Sequence, residues 1–212
     1  MAETNKIKIP LTSITLEGIF KIPPKAKGAV IFVHGSGSSQ LSPRNTYVAE
    51  ILQKAGFATL LFDLLTEKED QLYENRFNIT LLTERLIEVT KWLKKQPKTN
   101  NLTTGYFGAS TGAAAALEAA ARLGTDIKAI VSRGGRPDLV KIKKLKTIQT
   151  PTLLIVGGKD DVVLRLNEQT LQLLDAEKKL EIVPDATHLF EEPGTLEKVA
   201  ELASNWFKKY LL

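Results

Sequence analysis

The chain has 212 residues, 43% of them hydrophobic and 25% charged, which is the balance of an ordinary globular protein and excludes disordered, collagenous and low-complexity readings. Twenty-nine basic residues against 24 acidic ones leave a net charge of +5, but the basic residues lie in small groups near expected helix ends, with no stripe interleaved with aromatics, so no nucleic-acid partner is expected. There is no cysteine, which excludes disulfides, thiolate metal sites and a cysteine nucleophile, and the two histidines, His34 and His188, are too few for a histidine-rich metal site but enough for one catalytic base.

The opening MAETNKIKIP lacks the apolar stretch of a secretory signal, and no apolar run approaches the roughly 20 residues of a membrane span, so a cytoplasmic protein with no membrane partner is expected. Two strand-like pieces, 7–9 and 14–22, read as an antiparallel pair. Strands follow at 29–33, 57–62, 103–107, 128–131, 152–156 and 179–183, each short, several rich in β-branched residues, and each closed by Gly, Pro, Asp or Ser. Helices fill the gaps at 43–55, with Ser42 as N-cap and Pro43 in the first turn, and at 79–96, 111–123, 163–174 and 196–211. The longest polar connection is 66–76. Strand–helix alternation without an internal repeat or a Gly/Pro/Ser-rich linker predicts one α/β domain over residues 1–212, about eight mostly parallel strands with helices on both faces. Ligands are then expected at the carboxyl ends of the strands, where every motif below falls.

Gly108-Ala109-Ser110-Thr111-Gly112 matches G-x-S-x-G between a strand, TTGYF, and a helix, AAAALEAAARL. That setting is what a nucleophile elbow requires: a sharp turn that lifts the serine hydroxyl above the sheet, with small neighbours to let strand and helix approach. A serine needs a base to remove its proton. In the chain order Ser, acid, His, only His188 lies downstream, in the loop after strand 179–183. The base needs a carboxylate to fix its tautomer. The run TLLIVGGKDDVV offers Asp160, favoured by a G-x-x-D-x-x-V spacing, with Asp161 as the alternative; either can also cap the helix that follows. The glycine-rich turn HGSGSS after strand 29–33 can aim a backbone N–H at a developing oxyanion, with Ser36 as one donor and Thr111, the residue after the nucleophile, as the other. No G-K-[ST] follows, which sets a phosphate-cradling reading aside. His34 is read as structural, its ring bonded locally to hold the turn.

HGSGSS, GYFGASTG, LLIVGGKDD and DATHLFEEPG, in that order, resemble the alpha/beta-hydrolase superfamily over nearly the whole chain, and within it the dienelactone-hydrolase-like group of small, lidless hydrolases. SPRNTYVAEILQKAGFATLLFDLLT and VSRGGRPDL resemble a bacterial subgroup, some of whose members are fused to a phosphoribosyltransferase domain, for which 212 residues leave no room. The resemblance implies Ser110 as nucleophile, Asp160 as acid, His188 as base and Ser36 and Thr111 as oxyanion donors, with no metal and no cofactor. Dienelactone hydrolases proper use cysteine as nucleophile; with Ser110 in its place, the group name does not define the substrate.

No inserted helical lid is expected between residues 131 and 151, which leaves an open site for a small acyl substrate. Arg133 and Arg136 follow a strand end and Arg44 opens the first helix on the same side, a placement suited to an anionic group such as a carboxylate; pairing of the two former with Asp138 is the competing reading. The expected activity is hydrolysis of a small carboxylic ester, thioester or lactone through an acyl-enzyme on Ser110. Acyl transfer or peptidase action by the same residues, and a non-catalytic binding domain on this fold, are the alternatives. The oligomeric state is left open by the sequence.

Overall fold

A computed structural model describes residues 3–212. Its eight strands are β1 (Glu3–Pro10), β2 (Thr15–Ile22), β3 (Gly28–Val33), β4 (Phe57–Phe62), β5 (Thr103–Ala109), β6 (Ile127–Arg133), β7 (Thr152–Gly157) and β8 (Lys178–Val183). They form one sheet in the order β1-β2-β4-β3-β5-β6-β7-β8. The first two pair antiparallel, as does β2 with β4, and every later pairing is parallel. The central strands β3, β4 and β7 are buried along their whole length, because helices cover both faces, and their two polar side chains, Thr59 and Thr152, are hydrogen-bonded to Gln53 Nε2 and Thr150 O. β1 carries Pro10, which an edge strand tolerates because no ladder bond is asked of its missing N–H.

On one face, α3 (Ile79–Leu93) and α4 (Thr111–Leu123) lay Leu82, Leu86, Val89 and an alanine-rich surface against Ile31, Val33, Tyr106 and Ile130. On the other, α1 (Pro43–Lys54) and α7 (Thr195–Leu211) set Val48, Leu52, Val199 and Phe207 against Val30, Phe32, Phe107 and Val131. Alanines in α4 let the helix axis come close to the sheet; Ala113, Ala114, Ala115 and Ala116 are all fully buried. Ser42 caps α1 as its sequence suggests, accepting the Asn45 N–H. No helix among the described residues is long and apolar enough to cross a membrane.

The structure differs from the sequence reading in two places that bear on the site. The connection around residues 66–76 is not featureless. Thr66 opens a capping box with Glu69 over α2 (Glu67–Asp70), and a 3₁₀ turn at Tyr73–Phe77 follows. Arg76 binds Asp70 through both Nε and Nη2, and Arg85 binds Glu69, which ties the segment together. The second difference is that β6 runs on to Arg133, because Ser132 and Arg133 continue the ladder opposite Gly108 and Ala109 on one side and Leu154 and Ile155 on the other. Arg133 therefore lies within a buried strand end rather than on the loop after it. Between β6 and β7 there is only a short helix, α5 (Ile142–Leu145), and a 3₁₀ turn at Pro137–Leu139, and no substantial lid.

Candidate active site

The parallel register brings the carboxyl ends of β3, β5, β6, β7 and β8 to one edge: Val33 pairs with Gly108, Ala109 with Arg133, and Gly157 with Val183. Ser110 sits at the junction of β5 and α4 with φ +50° and ψ −122°, a region that L residues rarely adopt. Strain of this kind persists only where the surroundings impose it. Here the Ser110 N–H donates to Arg133 O at 3.2 Å, and Ser110 O accepts from the Ala113 and Arg136 N–H groups. Close approach is built in on either side. A Cβ on Gly112 would lie 2.2 Å from Val33 O and 2.4 Å from His34 O, and one on Gly35 would lie 2.9 Å from Ser110 Cβ. These positions accept glycine alone, and they press the HGSGSS turn against the serine.

His188 comes from the loop after β8, and its ring lies against Gly134, the residue after Arg133. Its Nδ1 is 2.6 Å from Asp160 Oδ2. Asp160 is the N-cap residue of α6 (Asp161–Leu173), yet its side chain makes no capping bond, because the carboxylate is turned to His188. Asp161 is exposed in the first turn of the helix and is not bonded to the ring. With Nδ1–H donating to Asp160, Nε2 is left as the acceptor, the tautomer a general base requires. Ser110 is half-buried at this elbow.

The two predicted oxyanion donors meet each other. The Ser36 N–H donates to Thr111 Oγ1 at 2.9 Å. Thr111 is the first residue of α4, so its own N–H is one of the donors that an α-helix leaves without an intrahelical partner. His34 lies below this turn with both ring nitrogens engaged. Nε2 accepts the Leu64 N–H at 3.1 Å, which puts the proton on Nδ1, 2.9 Å from Gly35 O. Burial pushes the His34 pKa down, and the Gly35 carbonyl only partly offsets it. This ring has no free nitrogen for catalysis.

The three arginines have different fates. Arg136 is bidentate with Asp138, at 2.8 and 2.7 Å. Arg44 Nη1 binds Glu191 at 2.9 Å. Arg133 is 7% exposed, and no side chain or carbonyl among the described residues accepts a bond from its guanidinium. Burial, and after it the nearby charge of Arg44, lower its pKa to about 10. Its side chain lies 5.8 Å from the ring centroid of Phe190, which is itself held at φ +56° two residues after His188.

A model of the alpha/beta hydrolase domain matches residues 26–206, and the chain belongs to that family. A dienelactone hydrolase from Anabaena variabilis has 51% identical residues and superposes with a TM-score of 0.96, over 100% of this chain and 99% of that one. The Est1E structure from Butyrivibrio proteoclasticus, 18% identical, shares the fold with a TM-score of 0.83 over 96% of this chain and 98% of that one. A Mycobacterium tuberculosis H37Rv protein provisionally named a phosphoribosyl transferase is 54% identical over 206 residues, which cover 97% of this chain but 46% of the relative. The chain thus spans less than half the length of that curated relative.

Proposed function

We propose that the protein is a serine hydrolase of small carboxylic esters, thioesters or lactones, working through an acyl-enzyme on Ser110. The observation that carries this reading is the pairing of a strained serine at a strand–helix elbow with a histidine whose Nδ1 is held by Asp160 at 2.6 Å. Family membership supports hydrolase chemistry, and the Anabaena relative is called a dienelactone hydrolase.

In this mechanism Ser110 Oγ attacks the acyl carbonyl while His188 Nε2 takes its proton. The carboxylate of Asp160 stabilises the imidazolium that forms. The tetrahedral oxyanion is held by the Thr111 N–H at the N-terminus of α4, and by the Ser36 N–H once Thr111 Oγ1 gives it up. The imidazolium then protonates the leaving alcohol or thiol. Water, activated by the same histidine, attacks the acyl-enzyme and frees the acid. The His188 side chain is 39% exposed and Ser110 is half-buried, so water can reach the acyl-enzyme, which supports hydrolysis over transfer to a second bound acceptor.

The phosphoribosyl transferase activity in the name of the longer mycobacterial relative is not proposed here, because its name describes a chain of more than twice this length. The test is hydrolysis of p-nitrophenyl acetate by the wild type and by Ser110→Ala. The substitution is small and lies at a turn, so the fold is kept and turnover is lost. Activity of the variant within a few-fold of wild type would overturn the assignment.

A further inference from the structure

α6 turns a narrow stripe inward, in which Val163, Asn167 and Thr170 are buried. That i, i+4, i+7 spacing asks for apolar side chains, and Asn167 breaks the pattern while being completely buried. Its donors fix how the amide lies. Nδ2 donates to Val163 O at 2.8 Å, one turn back in the same helix, and to Gly135 O at 3.0 Å, across to the turn after β6. Oδ1 is buried without a partner, a cost that an apolar residue would avoid.

The turn of residues 133–136 is bonded to the site through its main chain. Arg133 O accepts the Ser110 N–H at 3.2 Å and the Arg136 N–H donates to Ser110 O at 3.1 Å, so the turn grips the strained serine on both sides. Gly134, at φ +52°, donates its N–H to Ile155 O at 2.8 Å, and a Cβ on it would stand 3.4 Å from His188 Cε1 and 3.5 Å from His188 Nδ1. Gly135 is wedged in place: a Cβ there would fall 2.0 Å from Ser132 Oγ and 2.8 Å from Ala113 Cβ. The helix that supplies Asn167 starts just after Asp160, about two turns earlier, and Asp160 holds His188 Nδ1. One circuit therefore runs from Ser110 through the turn to Asn167, along α6 to Asp160, and back to His188.

We propose that Asn167 is a positioning residue that sets Ser110 and His188 in register by tying the 133–136 turn to the helix that begins beside Asp160. Its amide bonds main-chain carbonyls and no reacting atom. The proposal rests on the hydrolase reading and adds the tie that keeps a serine and a histidine from separate loops in fixed relation.

The experiment uses Asn167→Leu, which keeps the volume and removes both donors, with Thr170→Val as control. Thr170 is buried on the same stripe, and its hydroxyl bonds Leu166 O inside α6. Two readouts are taken: the rate and end point of Ser110 labelling by a fluorophosphonate, and kcat and KM on p-nitrophenyl acetate. In Asn167→Leu the labelling rate and kcat should each fall about 10²-fold, the loss expected from a displacement of about 1 Å, with KM little changed and every chain labelled in the end. Thr170→Val should match wild type in both rate constants. A wild-type labelling rate in Asn167→Leu overturns the proposal, whatever its melting temperature. A lower end point reached at the wild-type rate also overturns it, because that reports fewer folded chains with an intact site. If the leucine variant does not fold, Asn167→Ser, too short to reach Gly135 O, is read in the same way. Should folded wild type take no label and hydrolyse no ester, the hydrolase reading fails instead. Asn167 is then judged by the NMR signal of the His188 Nδ1 proton shared with Asp160: a shifted or broadened signal in Asn167→Leu supports positioning, and an unchanged one refutes it.

Discussion

Replacing Asp160 by Asn tests how the site sets its tautomer. In the wild type Nδ1 donates to Asp160 Oδ2 at 2.6 Å, which leaves the lone pair on Nε2. An asparagine can turn its NH₂ toward Nδ1, which moves the ring proton to Nε2 and removes the base. It also removes the charge that would stabilise the imidazolium. The comparable loss in serine proteases is about 10⁴ in kcat, so a fall of about 10³ to 10⁴ is expected here, or roughly 4–5.5 kcal/mol on the barrier. The Asp160 side chain is only 13% exposed, so water cannot easily substitute for it. Asp161→Asn is the internal control. Its side chain makes no bond to His188, and kcat should stay within about 3-fold of wild type, as for a surface change away from the chemistry. Single-turnover kinetics on p-nitrophenyl acetate for both variants decide it. If Asp161→Asn is the more damaged, or if Asp160→Asn loses less than about 10-fold, the tautomer argument is wrong.

Gly112→Ala would normally add helix stability, but its Cβ would strike Val33 O and His34 O, so urea unfolding should show a loss of about 3 kcal/mol or more. Tyr106→Phe removes the buried bond to Thr90 Oγ1 at 2.7 Å while Thr90 keeps Leu86 O, so the cost should be about 1 kcal/mol by the same assay. His34 has a folded pKa below its ordinary value, so the unfolded chain takes up the proton first. Its contribution is complete above about pH 6.5 and is lost as pH falls from there toward the folded value. The stability advantage of wild type over His34→Gln should therefore narrow between about pH 7.5 and about pH 5, and a widening gap would contradict the buried-neutral assignment.

Most of this architecture is written in short-range patterns. The apolar runs and their Gly or Asp closures mark the six parallel strands, and the elbow is marked by spacing and context together. The capping box of Thr66 and Glu69 was legible as T-x-x-E, but a one-turn helix has too little periodicity to register against a polar stretch. The extent of β6 was not legible, because Ser132 and Arg133 are extended by pairing with neighbours remote in sequence, and residue type alone argues for a loop. The same long-range packing decides which arginine finds a partner. Asp138 is two residues from Arg136 and within reach by spacing, whereas the isolation of Arg133 follows from its burial beside Phe190 and Arg44, both remote in sequence. The choice between Asp160 and Asp161 likewise depends on which way one side chain turns at the start of α6.

The central claim is that Ser110 is an activated nucleophile, and mass mapping after reaction with a fluorophosphonate probe tests it most directly. The account predicts one adduct, on the peptide that contains Ser110, formed rapidly in the wild type and not in Ser110→Ala, and strongly slowed in Asp160→Asn. Folded wild-type protein that takes up no label, or takes it up at another residue, would contradict it.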